Sequence, residues 1–478
     1  MWSNSWDAAP RSPRLTDPTP ADAPAFSRGY RAWLVFLLAL INALTLADRQ
    51  GVAIAGQAIK LDLKFTDAEL GMMLGLGFAI LYSLMGLPLA RMSEHMSRTR
   101  IVAGSLAIFG IAAALCGSAQ NFWRLLLFRV GVGVGDAGFG PPVASLIGDH
   151  YPTSKRASAM SIIWLGAPVG VVGGSYFGGW MTQHVSWRAL FVTIGLAGVL
   201  VAAVAYLSLR EPRRGMSDPT GTRSGAPPST LAAFRFLFAK SSMVHVLAGC
   251  ALASIPLNAI GQFLALFLIR TFHIDFTRAG FLLSIIAAVG MSSGLLLGGF
   301  GVDWAGRFDK RWYVWGPAIT LFLSAPLFIL AFNQPTIPGT VLALMAGHVV
   351  LFVFFTPTLA IAQNMVAANM RASSAFAVAT VLSLVGIGLG PTLMGILSDQ
   401  FGKRAFPLGD YAAMCPAGTP PADATATLAA SCNQASAIGV RQGLMAMSLI
   451  CIWAAAHYLY AARNLRRDLD THFQPLRP

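Results

Sequence analysis

Four side chains stand where charge is costly, in runs that are otherwise apolar. Asp48 and Arg49 are neighbours in Ala32–Ile54, and Arg129 and Asp136 share Leu125–Ile147. About 20 apolar residues suffice to cross a bilayer. A charge near its centre costs a few kcal/mol, so it faces a partner or a wet cavity. On a helix, Arg129, Gly133, Asp136 and Gly140 fall on one face, which stacks the arginine and aspartate two turns apart with no side chain between. The glycines admit a neighbouring backbone or a ligand. Two chemistries are open. The charges could form a structural ion pair that fixes a helix in its bundle, or they could line a transport path. In the second, burial favours the neutral carboxyl and a nearby arginine the charged one, so a carboxylate can trade a proton. Asp48 and Asp136 are the candidate proton carriers. Arg49 and Arg129 are their partners, or contacts for an anionic substrate.

These four are the strongly ionisable residues inside the apolar runs, and all lie in the first half of the chain. The second half offers Asn258 and Gln262, four apart on one helical face, together with His348 and Thr356. A lone histidine in such a place can be a hydrogen-bonded packing group or a proton relay. The asymmetry predicts that the first half handles charge and the second shapes an apolar pocket. Cys116, Cys250 and Cys451 read as small apolar fillers. Cys415 and Cys432 share one long hydrophilic loop, where an oxidising compartment would favour a disulfide. No cysteine or histidine pair has metal-ligand spacing, and no nucleophile–base motif or phosphate loop is present. No cofactor and no enzyme activity are expected.

The elements that must hold these residues follow from composition. Of 478 residues, 55% are hydrophobic and only 11% charged, too few charges to cover a soluble surface. The chain is expected to be an all-α, polytopic membrane protein. After a proline-rich tail (1–28) come six apolar runs, Ala32–Ile54, Leu70–Ala90, Ile101–Ser118, Leu125–Ile147, Ala157–Met181 and Ala189–Leu209. A linker over 210–242 follows, with Leu231–Lys240 reading as an amphipathic segment on the membrane surface. Six more runs complete the set: Met243–Ile269, Ala279–Val302, Tyr313–Phe332, Gly339–Val366, Ser373–Leu397 and Gly443–Ala462. The expected architecture is twelve transmembrane helices in two six-helix bundles, 29–209 and 243–465, ending in a tail over 466–478. With both termini cytoplasmic, that side carries 23 Lys and Arg against 9 opposite. The imbalance fixes the expected orientation and accounts for the net charge of +14 without nucleic acid.

Duplication is visible. Pro142 precedes Arg156-Ala-Ser by 14 positions at the end of the fourth run, and Pro357 precedes Arg371-Ala-Ser by 14 at the end of the tenth. The loop after the eighth run reads Gly299-Phe-Gly-Val-Asp303-Trp-Ala-Gly306-Arg307. It resembles the signature loop of the major facilitator superfamily. Its counterpart after the second run, Arg91-Met-Ser-Glu94-His-Met-Ser-Arg98, keeps only the final arginine. The resemblance implies a cytoplasmic latch of carboxylates and arginines, here Arg91, Glu94, Arg98, Asp149, Arg156, Asp303 and Arg307. Within that superfamily three stretches resemble the Spinster family: Asp48-Arg49, placed near the outer half of the first run, Gly86-Leu-Pro88-Leu-Ala-Arg91, and Arg129-x-Gly-x-Gly-x-Gly-Asp136-Ala-Gly. Asp136 stands where that family usually shows glutamate. Gly166-Ala-Pro168 in the fifth run is similar to an antiporter motif, and also reads simply as close packing with a proline kink.

The expectation is a monomeric secondary transporter of an inner membrane, working by alternating access and coupled to protons. The Spinster resemblance implies a lipid-like anion, of lysophospholipid or sphingoid-phosphate type. A carrier of small organic or aromatic acids is the alternative in the same class. A channel-like facilitator or a non-transporting receptor is the alternative in another.

Overall fold

A computed structural model describes residues 26–151, 153–213, 238–365 and 378–470. Among the described residues, twelve helices are long and apolar enough to cross a membrane: Arg28–Leu63, Asp67–Ser93, Arg98–Cys116, Phe122–His150, Ser158–His184, Trp187–Ser208, Ser241–Phe272, Phe276–Gly306, Trp312–Phe332, Ile337–Asn364, Val378–Ala405 and Ala426–Asp468. They are called spans 1 to 12. The first six and the last six form the two bundles. Because the count is even, both termini lie on one face, and the opposite face is called the far face.

Helices are forced here because hydrocarbon offers no partner for backbone polar groups. Their ends are set by short polar side chains. Ser27 accepts from the Tyr30 N–H at the start of span 1, and Thr66 and Glu69 form a capping box at the start of span 2. Asn121, Ser186, Asp275 and Thr336 cap spans 4, 6, 8 and 10 in the same way. Large apolar side chains such as Phe300, Trp123 and Leu207 are exposed, as lipid-facing groups must be.

Helices run beyond the apolar runs, and this changes two expectations. Span 1 is 36 residues long and ends at Leu63, so Asp48 and Arg49 sit near its middle rather than its outer half. Span 4 is also broken, with helical segments Phe122–Ala137 and Gly140–His150. Gly140 therefore does not continue the stripe that carries Arg129 and Asp136. Similar interruptions occur at Gly75 in span 2 and between Phe352 and Phe355 in span 10.

Small residues bring helices together. Gly166, Gly170 and Gly174 of span 5 lie against Ala39, Ala43 and Ala47 of span 1, and a Cβ on Gly170 would run into the Ala43 carbonyl. The Gly166-Ala-Pro168 stretch is thus a packing face. Between bundles, Gly71 of span 2 abuts the Pro391 carbonyl and Gly395 of span 11 abuts the Asp67 carbonyl. Span 5 meets span 8 likewise, with Gly179 on Phe276 and Gly280 on Ser175. Most of Leu231–Lys240, and Arg371 with its repeat, lie outside the described residues.

Candidate transport site

The four buried charges pair across helices. Arg129 Nη1 of span 4 donates to Asp48 Oδ2 of span 1 at 2.6 Å, and Arg49 of span 1 donates to Asp136 of span 4. The expected stacking of Arg129 on Asp136 is not formed. Seven residues place them about 10 Å apart along the axis at 1.5 Å per residue, too far for contact. Adjacent opposite charges on span 1 meet that spacing, one reaching each way. The two pairs differ in burial. Asp48 is 0% and Arg129 2% exposed, whereas the Arg49 side chain keeps 19%. Arg49 also lies 4.3 Å over the Phe78 ring and 5.7 Å over that of Tyr82, so it has an attractive contact besides Asp136. Asp48 Oδ1, Arg49 Nε and Arg129 Nε are buried without a hydrogen-bond partner among the described residues. Such groups retain unused capacity for polar contacts.

Between the bundles lies a cavity of about 210 Å³, whose lining includes none of the four charged residues. Leu46, Gln50 and Ser175 line it from the first bundle, and Asn258, Gln262 and His348 from the second. Asn258 Nδ2 donates to the Ser254 carbonyl at 2.9 Å, while Gln262 Oε1 has no partner among the described residues. His348 Nδ1 donates to the Leu344 carbonyl at 2.8 Å and its ring stands edge-on to Phe328. That bond leaves Nε2 as the acceptor in the neutral ring. Thr356 lies apart from the cavity and donates to the Leu295 carbonyl at 3.3 Å. The cavity is smaller than an ordinary ligand pocket.

A second cluster was not foreseen. At the far face Asp67 accepts two bonds from Arg270, at 2.7 and 2.8 Å, one from Ser398 at 2.6 Å, and one from Lys60. Asp399 accepts the Asp67 and Ala68 N–H groups at 3.1 and 2.8 Å, and Gln57 accepts from Arg270 Nε at 2.8 Å. Spans 1 and 2 are thereby tied to spans 7 and 11. Lys60, Asp67 and Arg270 are buried, so the second half is not free of buried charge as its apolar runs suggest. The sequence signal was present but weak: a basic residue one turn before the end of each bundle's first helix.

At the face of the termini, Arg98 of span 3 pairs with Asp149 of span 4 and, at 2.7 Å, with Glu211 beyond span 6. Glu211 was missed, although it is the sole acid in Leu209–Gly215. Burial pushes its carboxyl up, but the Thr99 N–H and the Arg98 guanidinium outweigh this and hold it below the ordinary glutamate value. Arg156 Nε donates to the Tyr151 carbonyl at 3.0 Å. Arg91 is exposed, and the Glu94 side chain lies outside the described residues. Asp303 accepts from the Tyr313 hydroxyl at 2.8 Å, not from Arg307, and both are exposed. Arg98 and Asp149 are thus paired, whereas Asp303 and Arg307 are not paired with each other. Cys415 and Cys432 are joined as a disulfide, with Cα atoms 5.7 Å apart.

Twelve helices in two bundles, a cavity between them with a few polar groups in a mostly apolar lining, and an ion cluster at one end define a membrane transporter of the major facilitator class. The Major Facilitator Superfamily model matches residues 38–391, and the chain belongs to that family. It is a transporter of Spinster type. A crystal structure of a bacterial homolog to the human lysosomal transporter Spinster, inward-facing and unoccupied, superposes with a TM-score of 0.84 at 30% identity. The match covers 94% of this chain and 100% of that one. Protein spinster homolog 1 of Mus musculus is 28% identical over 417 residues, covering 80% of this chain and 75% of that protein. An MFS-type efflux pump of Mycolicibacterium smegmatis is 28% identical over 371 residues, 77% and 85% of the two chains.

Proposed function

We propose that the chain is a proton-coupled carrier of an amphiphilic anion, acting as a monomer in an inner membrane with both termini cytoplasmic. The observation that carries this reading is the unequal burial of the two crossed ion pairs. Asp48–Arg129 is sealed and holds spans 1 and 4 in register. Arg49–Asp136 is partly open, and Arg49 has aromatic rings to rest on. An anionic headgroup that draws Arg49 away removes the charge that favours ionised Asp136, which can then take a proton. Departure of the anion returns Arg49 to Asp136 and expels the proton. Substrate and proton thus share one site, and the same change in span 1 biases the bundles between two arrangements.

The excess of basic residues supports cytoplasmic termini. The far-face cluster is then external, and the arrangement is closed outward. A lipid-like anion suits the Spinster resemblance and a cavity whose second-bundle wall is largely apolar, with Leu257, Leu264, Ile286 and Phe352. The test is a thermal-shift screen of lysophospholipids against aromatic acids, followed by flux of the stabilising compound in liposomes under an imposed pH gradient. Stabilisation by lysophospholipids with gradient-dependent flux supports the reading. Stabilisation by aromatic acids alone moves the substrate class, and gradient-independent, non-saturating flux removes the carrier.

A further inference from the structure

Among the described residues three non-glycine residues have positive φ: Lys64 at 56°, His273 at 52° and Ala417 at 57°. This backbone region is unfavourable for side chains larger than glycine, and such residues persist where the surroundings impose them. All three converge on one place. Lys64 ends span 1 and His273 ends span 7, the first helix of each bundle, so they are equivalent positions of the two halves. Both line a far-face cavity of about 720 Å³, roofed by the loop that contains Ala417. The Cys415–Cys432 bridge staples that roof.

The lining is one-signed. Lys64, Arg270 and His273 supply donors, Asn433 and Ser436 add neutral polar groups, and no acidic side chain belongs to the lining. Lys64 and His273 are exposed, free to close on a ligand. Arg270 has five N–H donors and spends three on Asp67 and Gln57. The other wall is apolar, with Leu61, Ile269 and Pro420.

We propose that this vestibule is a second binding site, taking a phosphate monoester carried on an apolar body. Three basic side chains lining one cavity with no carboxylate among them suit a dianion better than a singly charged carboxylate, and the apolar wall covers what the phosphate is attached to. A phosphate on Arg270 competes directly with Asp67, so occupancy loosens the tie between the bundles. The site does not depend on how the Asp136 pair works, because its occupancy can be read without any flux.

The test uses the full chain in nanodiscs of zwitterionic lipid and titration calorimetry with phenyl phosphate, inorganic phosphate and benzoate. Phenyl phosphate is expected to bind saturably, at least tenfold more tightly than the other two. Lys64→Asn combined with His273→Asn keeps a side chain that tolerates positive φ while removing both basic groups. It is expected to weaken binding tenfold or more at an unchanged melting temperature, and Lys64→Arg to bind like the unaltered protein. Competition by oleoyl lysophosphatidic acid would assign the ester to a lipid, and its absence to a soluble compound. No saturable binding, equal binding by the double variant, or loss of binding in Lys64→Arg would overturn the site. Equal affinity for inorganic phosphate would remove the apolar body, and equal affinity for benzoate the phosphate.

Discussion

At the level of single residues, crossed pairing makes the two aspartates unequal. Arg129→Gln strands Asp48, which has no exposure, and losing one member of a buried pair costs about 3–5 kcal/mol. A large fall in melting temperature is expected. Asp136→Asn leaves Arg49 on Phe78 and Tyr82, so a small fall is expected. A second mutation should rescue only along the observed pairs. Arg129→Gln with Asp48→Asn should recover stability, and Arg129→Gln with Asp136→Asn should not. Recovery by the latter would restore the same-helix stacking that the residue spacing alone suggests. Glu211 gives a pH test. Its carboxyl is held below the usual value, so the stability it adds is present above the unfolded value near 4.5 and is lost as pH falls through the folded one. Glu211→Gln should therefore melt lower than the unaltered protein at pH 7, by a margin that shrinks as pH is lowered below 4.5. A margin that does not shrink as pH is lowered would show that its charge is not what holds Arg98.

At the level of helices, the far-face seam is steric as well as ionic. A methyl at Gly395 meets the Asp67 carbonyl, so Gly395→Ala should part spans 2 and 11 and favour the arrangement open at the far face. Spin labels at Leu61→Cys and Arg404→Cys should then report a longer distance, and an unchanged distribution would contradict the seam. Much of this level was legible in the sequence. Twelve apolar runs became twelve spans, and Asn258 and Gln262 do share a cavity face, because an i, i+4 relation survives any shift of helix ends. What failed has two causes. Apolar runs mark where lipid is, not where helices stop, and paired charges let spans 1, 2, 7 and 11 continue past them. Lys60, Asp67, Arg270 and Asp399 lie outside those runs for that reason. The Arg129–Asp136 stripe misled because shared helical face says nothing about axial distance.

For the whole molecule, the two bundles are joined at the far face while their central cavity stays small, as an alternating-access carrier requires of one end state. A reporter fused after Pro478 should read cytoplasmic, and one placed near Thr419 external. The opposite result at Thr419 would invert the reading of which face is sealed. The central claim, that Asp136 exchanges a proton as Arg49 turns to the substrate, is tested most directly in proteoliposomes. Uptake of labelled lysophosphatidic acid under an imposed pH gradient is compared with exchange at equal pH, for the unaltered protein and Asp136→Asn. Asparagine keeps the shape and a hydrogen bond to Arg49 but cannot carry the proton. Gradient-driven accumulation should vanish while exchange persists. Undiminished gradient-driven accumulation by Asp136→Asn would contradict the coupling and leave Asp48 as the remaining carboxylate able to supply it.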